Sequence, residues 1–211
     1  MPLIGCPGIL WVTSMHVKKG MAMNGQIAGQ RHGSVWRFVG WGVAAALLLL
    51  PLVAMQFTPE VNWTASDFIA WGIMLGTVGG LFELAVRLSP LPSYRIGFGL
   101  ALLGAFLVTW VNLAVGIVGS EDNPANQLFF LALLIGIVGA GVARLQASGM
   151  AKAMAAVAVS LWVAFAIALT GPTDEPWVRH SVEFAGTSSF ALLFLGSAAL
   201  FRKAAQSSSS S

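Results

Sequence analysis

The sequence predicts an all-α, polytopic membrane protein: a bundle of six transmembrane helices with both termini in the cytoplasm. Three observations carry this expectation. Of 211 residues, 57% are hydrophobic and only 9% charged, where ordinary globular domains carry roughly 25% charged residues. The apolar residues gather into six runs, each near the roughly 17 to 25 residues that a hydrocarbon core requires. The cations gather on one side of those runs, as the positive-inside rule expects.

Taken in order, residues 1–34 mix Gly, Met and Lys without a sustained period and read as a flexible cytoplasmic arm. The arm lacks the long apolar core of a signal peptide. Met15, Met21 and Met23 each offer an alternative start. Cys6 is the sole cysteine, which excludes an intrachain disulfide and any site built on several cysteines. Leu3-Ile4-Gly5-Cys6 has the form of a lipoprotein cleavage box, but no basic and apolar stretch precedes it.

Residues 35–203 form the transmembrane domain, with spans expected at Val35–Met55, Asp67–Leu88, Ile96–Val118, Asn126–Ala143, Met150–Thr170 and Val178–Phe201. Lipid offers the backbone no hydrogen-bond partner, so runs of this length must be helices. Helix breakers mark the links: Pro59, Pro90 with Pro92, Pro124, Gly149, and Pro172 with Pro176. Pro51 lies inside the first run near its end, where it bends or ends a helix. Residues 204–211 read as a disordered Ser-rich tail.

Charge then sets orientation. Ten of the 11 basic residues fall on one side: Lys18, Lys19, Arg31, Arg37, Arg87, Arg95, Arg144, Lys152, Arg202 and Lys203. Arg179 alone falls on the other, with Glu60, Asp67, Glu121, Asp122, Asp174 and Glu175. The net charge of +3 is therefore topogenic and does not indicate nucleic acid. The partner implied is the lipid bilayer, with a protein partner or a homo-oligomer beside it.

Helices in lipid associate through small residues that let backbones approach. The second run offers Gly72, Gly76 and Gly80; the third Ala101, Ala105, Asn112, Gly116 and Gly119; the fourth Ala132, Gly136, Ala140 and Ala143. Trp63, Trp71, Trp110 and Trp177 fall near the outer interface, and Trp36 and Trp41 near the inner one, as an aromatic belt.

Ionisable groups at membrane depth are costly and are candidate functional groups. Glu83 lies one turn before Arg87, so the two can pair and pin the inner end of the second span. It is also a candidate for proton or cation translocation. Glu183 shares a face with His180 and Arg179 near the start of the last span, at a depth similar to Asn112. The turn residues Glu121, Asp122, Asn126 and Gln127 lie just above. This outer cluster reads either as architecture, with Asn112 bonded across helices, Glu183 paired with Arg179 and Asn126 capping the fourth span, or as a binding and translocation site. His180 and Glu183, spaced His-x-x-Glu, form a weak metal candidate. No GxxxxGK[ST], HExxH or GxSxG motif occurs, and no pair of intramembrane histidines suits a bis-His haem. No cofactor is named by the sequence.

Met55–Trp63 (MQFTPEVNW), with Asp67, and Trp110–Asn126 (WVNLAVGIVGSEDNPAN) resemble a family of small, uncharacterised bacterial multi-span inner-membrane proteins. The resemblance spans about residues 40 to 203. It implies a multi-pass inner-membrane location and supplies no mechanism. It also implies that Glu60, Asn62 and Asp67 meet Glu121 and Asp122 at the outer face. The functional expectation is a compact structural or partner-binding bundle. The alternative is a small translocator of protons, cations or a solute, using Asn112, Glu183 and Glu83.

Overall fold

A computed structural model describes residues 38–58, 61–120, 122–170 and 180–209. The arm (1–34), the start of the first span and the 171–179 link lie outside these residues, as do Glu60, Glu121 and Arg179. Among the described residues every regular element is a helix and no strand occurs. The helices are α1 (Phe38–Ala54), α2 (Ala65–Leu88), α3 (Pro92–Ala114), α4 (Gln127–Val142, entered through a 3-10 turn at Pro124–Asn126), α5 (Ala147–Ala168) and α6 (His180–Ser209). Five of them, α2 to α6, are long and apolar enough to cross a membrane when α4 is counted with its 3-10 turn. The described part of α1 is a shorter apolar helix.

The chain divides after Gly72 into two compact units. In the first, the end of α1 explains how Pro51 is tolerated. A proline has no N–H, so the carbonyl of Leu47, four residues earlier, loses its helical partner. The indole Nε1 of Trp71 donates to that carbonyl at 3.1 Å. The ring of Trp63 stands edge-on to Trp71 and Phe68, with centroids 6.1 and 5.3 Å away. At the start of α2, the Asp67 carboxylate accepts the Thr64 N–H at 2.7 Å and its hydroxyl at 2.8 Å. This is the returning half of a capping box. Two tryptophans that the sequence assigns to an interfacial belt thus also fasten a helix end.

In the second unit, α6 packs between α3 and α5, and α5 packs between α4 and α6. Close approach depends on the small residues. A Cβ at Gly97 would lie 3.2 Å from Leu200, and one at Gly104 would lie 3.0 Å from the Phe194 ring. On α4, a Cβ at Gly136 or Gly139 would meet Val157 or Ala153 of α5 at 2.7 and 2.8 Å. These pairs run in opposite sequence directions, so α3 with α6, and α4 with α5, are antiparallel. The core is Val108, Phe129, Val157, Leu161, Phe194 and Phe201 with buried alanines between them. Tyr94, the sole tyrosine, donates its hydroxyl to Leu145 O at 2.7 Å and meets the Phe201 ring edge-on at 5.1 Å. Ser197 Oγ donates to Gly97 O at 2.7 Å.

Large apolar side chains face outward all along these helices. On α4, Ile137 and Val142 are 69% and 81% exposed, with Leu131, Leu134 and Val138 beside them. In water such a surface would drive association. In lipid it is the surface expected.

Several boundaries differ from the sequence expectation, each for a local reason. Helix α3 starts at Pro92 because proline suits the first turn, where its missing N–H is no loss. It stops at Ala114 and not at Val118, since Gly116 (φ 77°) and Gly119 (φ 67°) take left-handed backbone. Those two glycines belong to a loop and not to the α3 packing stripe. Gly149 lies inside α5 and does not mark the link. The link is a Schellman turn: Arg144 N bonds Gly141 O at 2.9 Å and Leu145 N bonds Ala140 O at 3.1 Å. Arg144 (φ 49°) and Leu145 (φ 59°) hold the left-handed positions without a glycine. Helix α6 runs past Phe201 and Lys203 to Ser209, through part of the stretch read as a disordered tail. Ala204 is fully buried, and Ser207 and Ser208 turn their hydroxyls back onto the carbonyls of Lys203 and Ala205. On α2, a Cβ at Gly76 or Gly80 would meet nothing within 4 Å, so those glycines of the stripe are not packed among the described residues.

Candidate functional site

The polar residues singled out from the sequence separate into two places. Glu83 pairs with Arg87 at 3.5 Å, the i,i+4 pair expected, with Arg87 largely exposed. An exposed pair of this kind contributes a few tenths of a kcal/mol. Nearby, Arg95 reaches back to the end of α2, its Nε donating to Ser89 O at 2.8 Å and its Nη2 to Val86 O at 3.1 Å. A guanidinium fork thus fills carbonyls that the helix end leaves open.

The second place is where α3 ends, α4 begins and α6 begins. Its centre is Asn126, 4% exposed. The Oδ1 of Asn126 accepts from Ile117 N and Val118 N, both at 3.0 Å. Its Nδ2 donates to Val118 O at 3.2 Å and Ser120 O at 2.7 Å. The backbone oxygen of Asn126 accepts from Asn112 Nδ2 at 2.8 Å. One amide side chain therefore replaces the secondary structure that residues 117–120 lack. Gly116 is required there: a Cβ would lie 2.5 Å from Ser120 O and 2.7 Å from Asn126 Nδ2. Asn126 does not cap α4 through its side chain, because that side chain faces the loop. The capping falls to Asn123, whose Oδ1 accepts from Ala125 N at 2.9 Å.

Glu183 joins the same end from α6. It is 8% exposed; its Oε1 accepts from Gly119 N at 3.0 Å, and its Oε2 lies 3.5 Å from His180 Nδ1. A carboxylate accepting a backbone N–H is a charge-assisted bond, stronger than its neutral counterpart. Three buried polar atoms in this region make no hydrogen bond among the described residues: Glu183 Oε2, Asn112 Oδ1 and Thr187 Oγ1. Thr187 is fully buried one turn after Glu183. The spacing of four was the sequence signal for it. A cavity of about 340 Å³ opens beside Glu183, walled by Val111, Val115, Ile117, Val182 and Phe190.

Asn112, Asn126 and Glu183 are therefore brought to one place. Asp122 is exposed on the turn, Glu121 is not described, and Glu83 belongs to the pair near the C-terminal end of α2. Among the described residues no group of three His, Cys, Asp or Glu side chains could hold a metal. His180 and Glu183 stand without a third such ligand among the described residues.

These features define a class: a helical bundle suited to a multi-pass membrane protein, with one polar knot binding a loop to two helix ends. Compared with protein-family models, with curated proteins and with solved structures, the chain matches none.

Proposed function

We propose that the protein is an inner-membrane protein of six spans, α1 to α6, with both termini cytoplasmic, acting as a compact structural or partner-binding bundle. The ten-to-one division of its basic residues supports the orientation. The resemblance of Met55–Trp63 and Trp110–Asn126 to small bacterial inner-membrane proteins supports the location. In this arrangement the α3–α4 loop and the start of α6 are outside, and the α4–α5 turn is inside. The surrounding bilayer is the first partner; a protein or a second copy is the next.

The observation that carries the functional reading is the use of Asn126. All four hydrogen-bonding positions of its side-chain amide hold the 117–120 backbone, so none serves a ligand. Below that knot the interior is apolar. Between Thr187 and Ser197 along α6, the buried residues are Ala191 and Phe194, and the Phe194 ring lies against Gly104 of α3. Those ten residues span about 15 Å.

One observation favours a second reading, translocation of a proton, cation or solute. Glu183 Oε2 is buried without a hydrogen bond among the described residues, and Glu183 borders a cavity. Reconstitution into liposomes holding a pH-sensitive dye separates the two. Under a structural role, wild type, Glu83→Gln and Glu183→Gln give identical traces. Proton flux that disappears in either variant would overturn that role in favour of translocation.

A further inference from the structure

A second groove, of about 740 Å³, lies between the start of α5 and the end of α6, at the opposite end of the bundle from the polar knot. Its α5 wall is Ser148, Ala151, Lys152 and Ala155, spaced as one helix face. Across from it stand Ala198, Ala199 and Arg202 of α6. The floor is thus alanine, two turns long or about 10 Å, and a cation stands on each wall. Lys152 and Arg202 are exposed, and among the described residues neither has an ion-pair partner. Helix α5 carries no acid, and in α6 the only acid is Glu183, 15 residues before Ala198 or roughly 22 Å away.

We propose that this groove binds an anionic phospholipid, its phosphate between Lys152 and Arg202 and an acyl chain along the alanine floor. Charge selects the occupant. The N-terminal arm carries Lys18, Lys19 and Arg31 without an acid, so it is repelled. A second copy docked symmetrically would set Lys152 and Arg202 against their own kind. A zwitterionic lipid fits the floor but leaves the two cations uncompensated. An anionic lipid satisfies both, and basic grooves between transmembrane helices suit such headgroups. The binding rests on the membrane reading above, and its assignment to the inner leaflet rests on the proposed orientation.

The test is native mass spectrometry of the full chain in detergent, titrated with phosphatidylglycerol, phosphatidylcholine or inorganic phosphate. Phosphatidylglycerol is expected to bind in preference to both. Each cation contributes roughly five-fold, so Lys152→Gln with Arg202→Gln should weaken that binding about twenty-five-fold. Arg144→Gln with Lys203→Gln, at the same end but outside the groove, should change it less than about three-fold. Ala199→Leu keeps both cations and fills the floor; it should also lose the lipid, which guards against a folding defect in the double variant. Equal binding of the two lipids, equal binding of inorganic phosphate, or an equal loss in the two double variants would overturn the proposal. Detergent binding does not depend on topology, so a wrong orientation would move the site to the other leaflet without abolishing it.

Discussion

Replacing Asn126 tests whether the polar knot is what holds the α3–α4 loop. Asn126→Ala removes four hydrogen bonds, two to Asn126 Oδ1 and two from Nδ2, at 2.7 to 3.2 Å. A typical bond contributes about 1 kcal/mol net, and a buried group left unpaired costs about 1–3 kcal/mol. The backbone groups of Ile117 and Val118 are buried and cannot all turn to solvent. The expected loss is therefore about 4 kcal/mol. Asn126→Asp is the sharper probe, since it keeps shape and both accepted bonds. Yet it sets an oxygen against Val118 O and Ser120 O in place of the donor, so a loss of about 3 kcal/mol is expected. Asn123→Ala, which removes one partly buried capping bond, should cost only about 1 kcal/mol. The assay is reversible unfolding in mixed micelles with the three variants compared. An Asn126→Asp protein within about 0.5 kcal/mol of wild type would refute the assignment, because shape alone would then suffice.

Other consequences follow from single contacts. Trp71→Phe removes the donor that fills the Leu47 carbonyl; it should destabilise by about 1–2 kcal/mol in unfolding experiments. Restoring a backbone partner with Pro51→Ala should recover most of that loss. Gly139→Leu should cost about 3 kcal/mol or prevent assembly, because even a Cβ there lies 2.8 Å from Ala153; a thermal melt in detergent reads this. Arg144→Gly removes a Cβ from a left-handed position and should stabilise by about 0.5 kcal/mol, the relief of strain exceeding the added chain entropy.

The all-helical, apolar character of the chain and the approximate places of α2 to α6 were legible because span length and apolarity are properties of a single segment. Asn112, Asn126 and Glu183 were legible as a group because their depths could be estimated from helix ends. What they do was not. Nothing in the order Asn-Pro-Ala-Asn shows that Asn123 caps while Asn126 turns its amide into the preceding loop; that depends on how Gly116 folds the chain back. The end of α3 was misplaced because Val115 to Gly119 is as apolar as a helix, and positive φ at Gly116 and Gly119 leaves no mark on hydropathy. Arg95 reads as topogenic charge from sequence, and only the turn at Pro90 and Pro92 brings its guanidinium to the carbonyls of Val86 and Ser89. The role of Trp71 was hidden in the same way, since its partner is a carbonyl 24 residues earlier.

The central claim is the orientation of the spans, and cysteine accessibility in intact cells tests it most directly. On a Cys6→Ser background, Gln146→Cys reports the α4–α5 turn and Asp122→Cys the α3–α4 loop, both exposed positions. A membrane-impermeant maleimide added outside should label the cysteine at position 122 and leave the one at position 146 untouched until the cells are opened. The reverse pattern would contradict the account, placing Arg144 and Lys152 outside and the polar knot within.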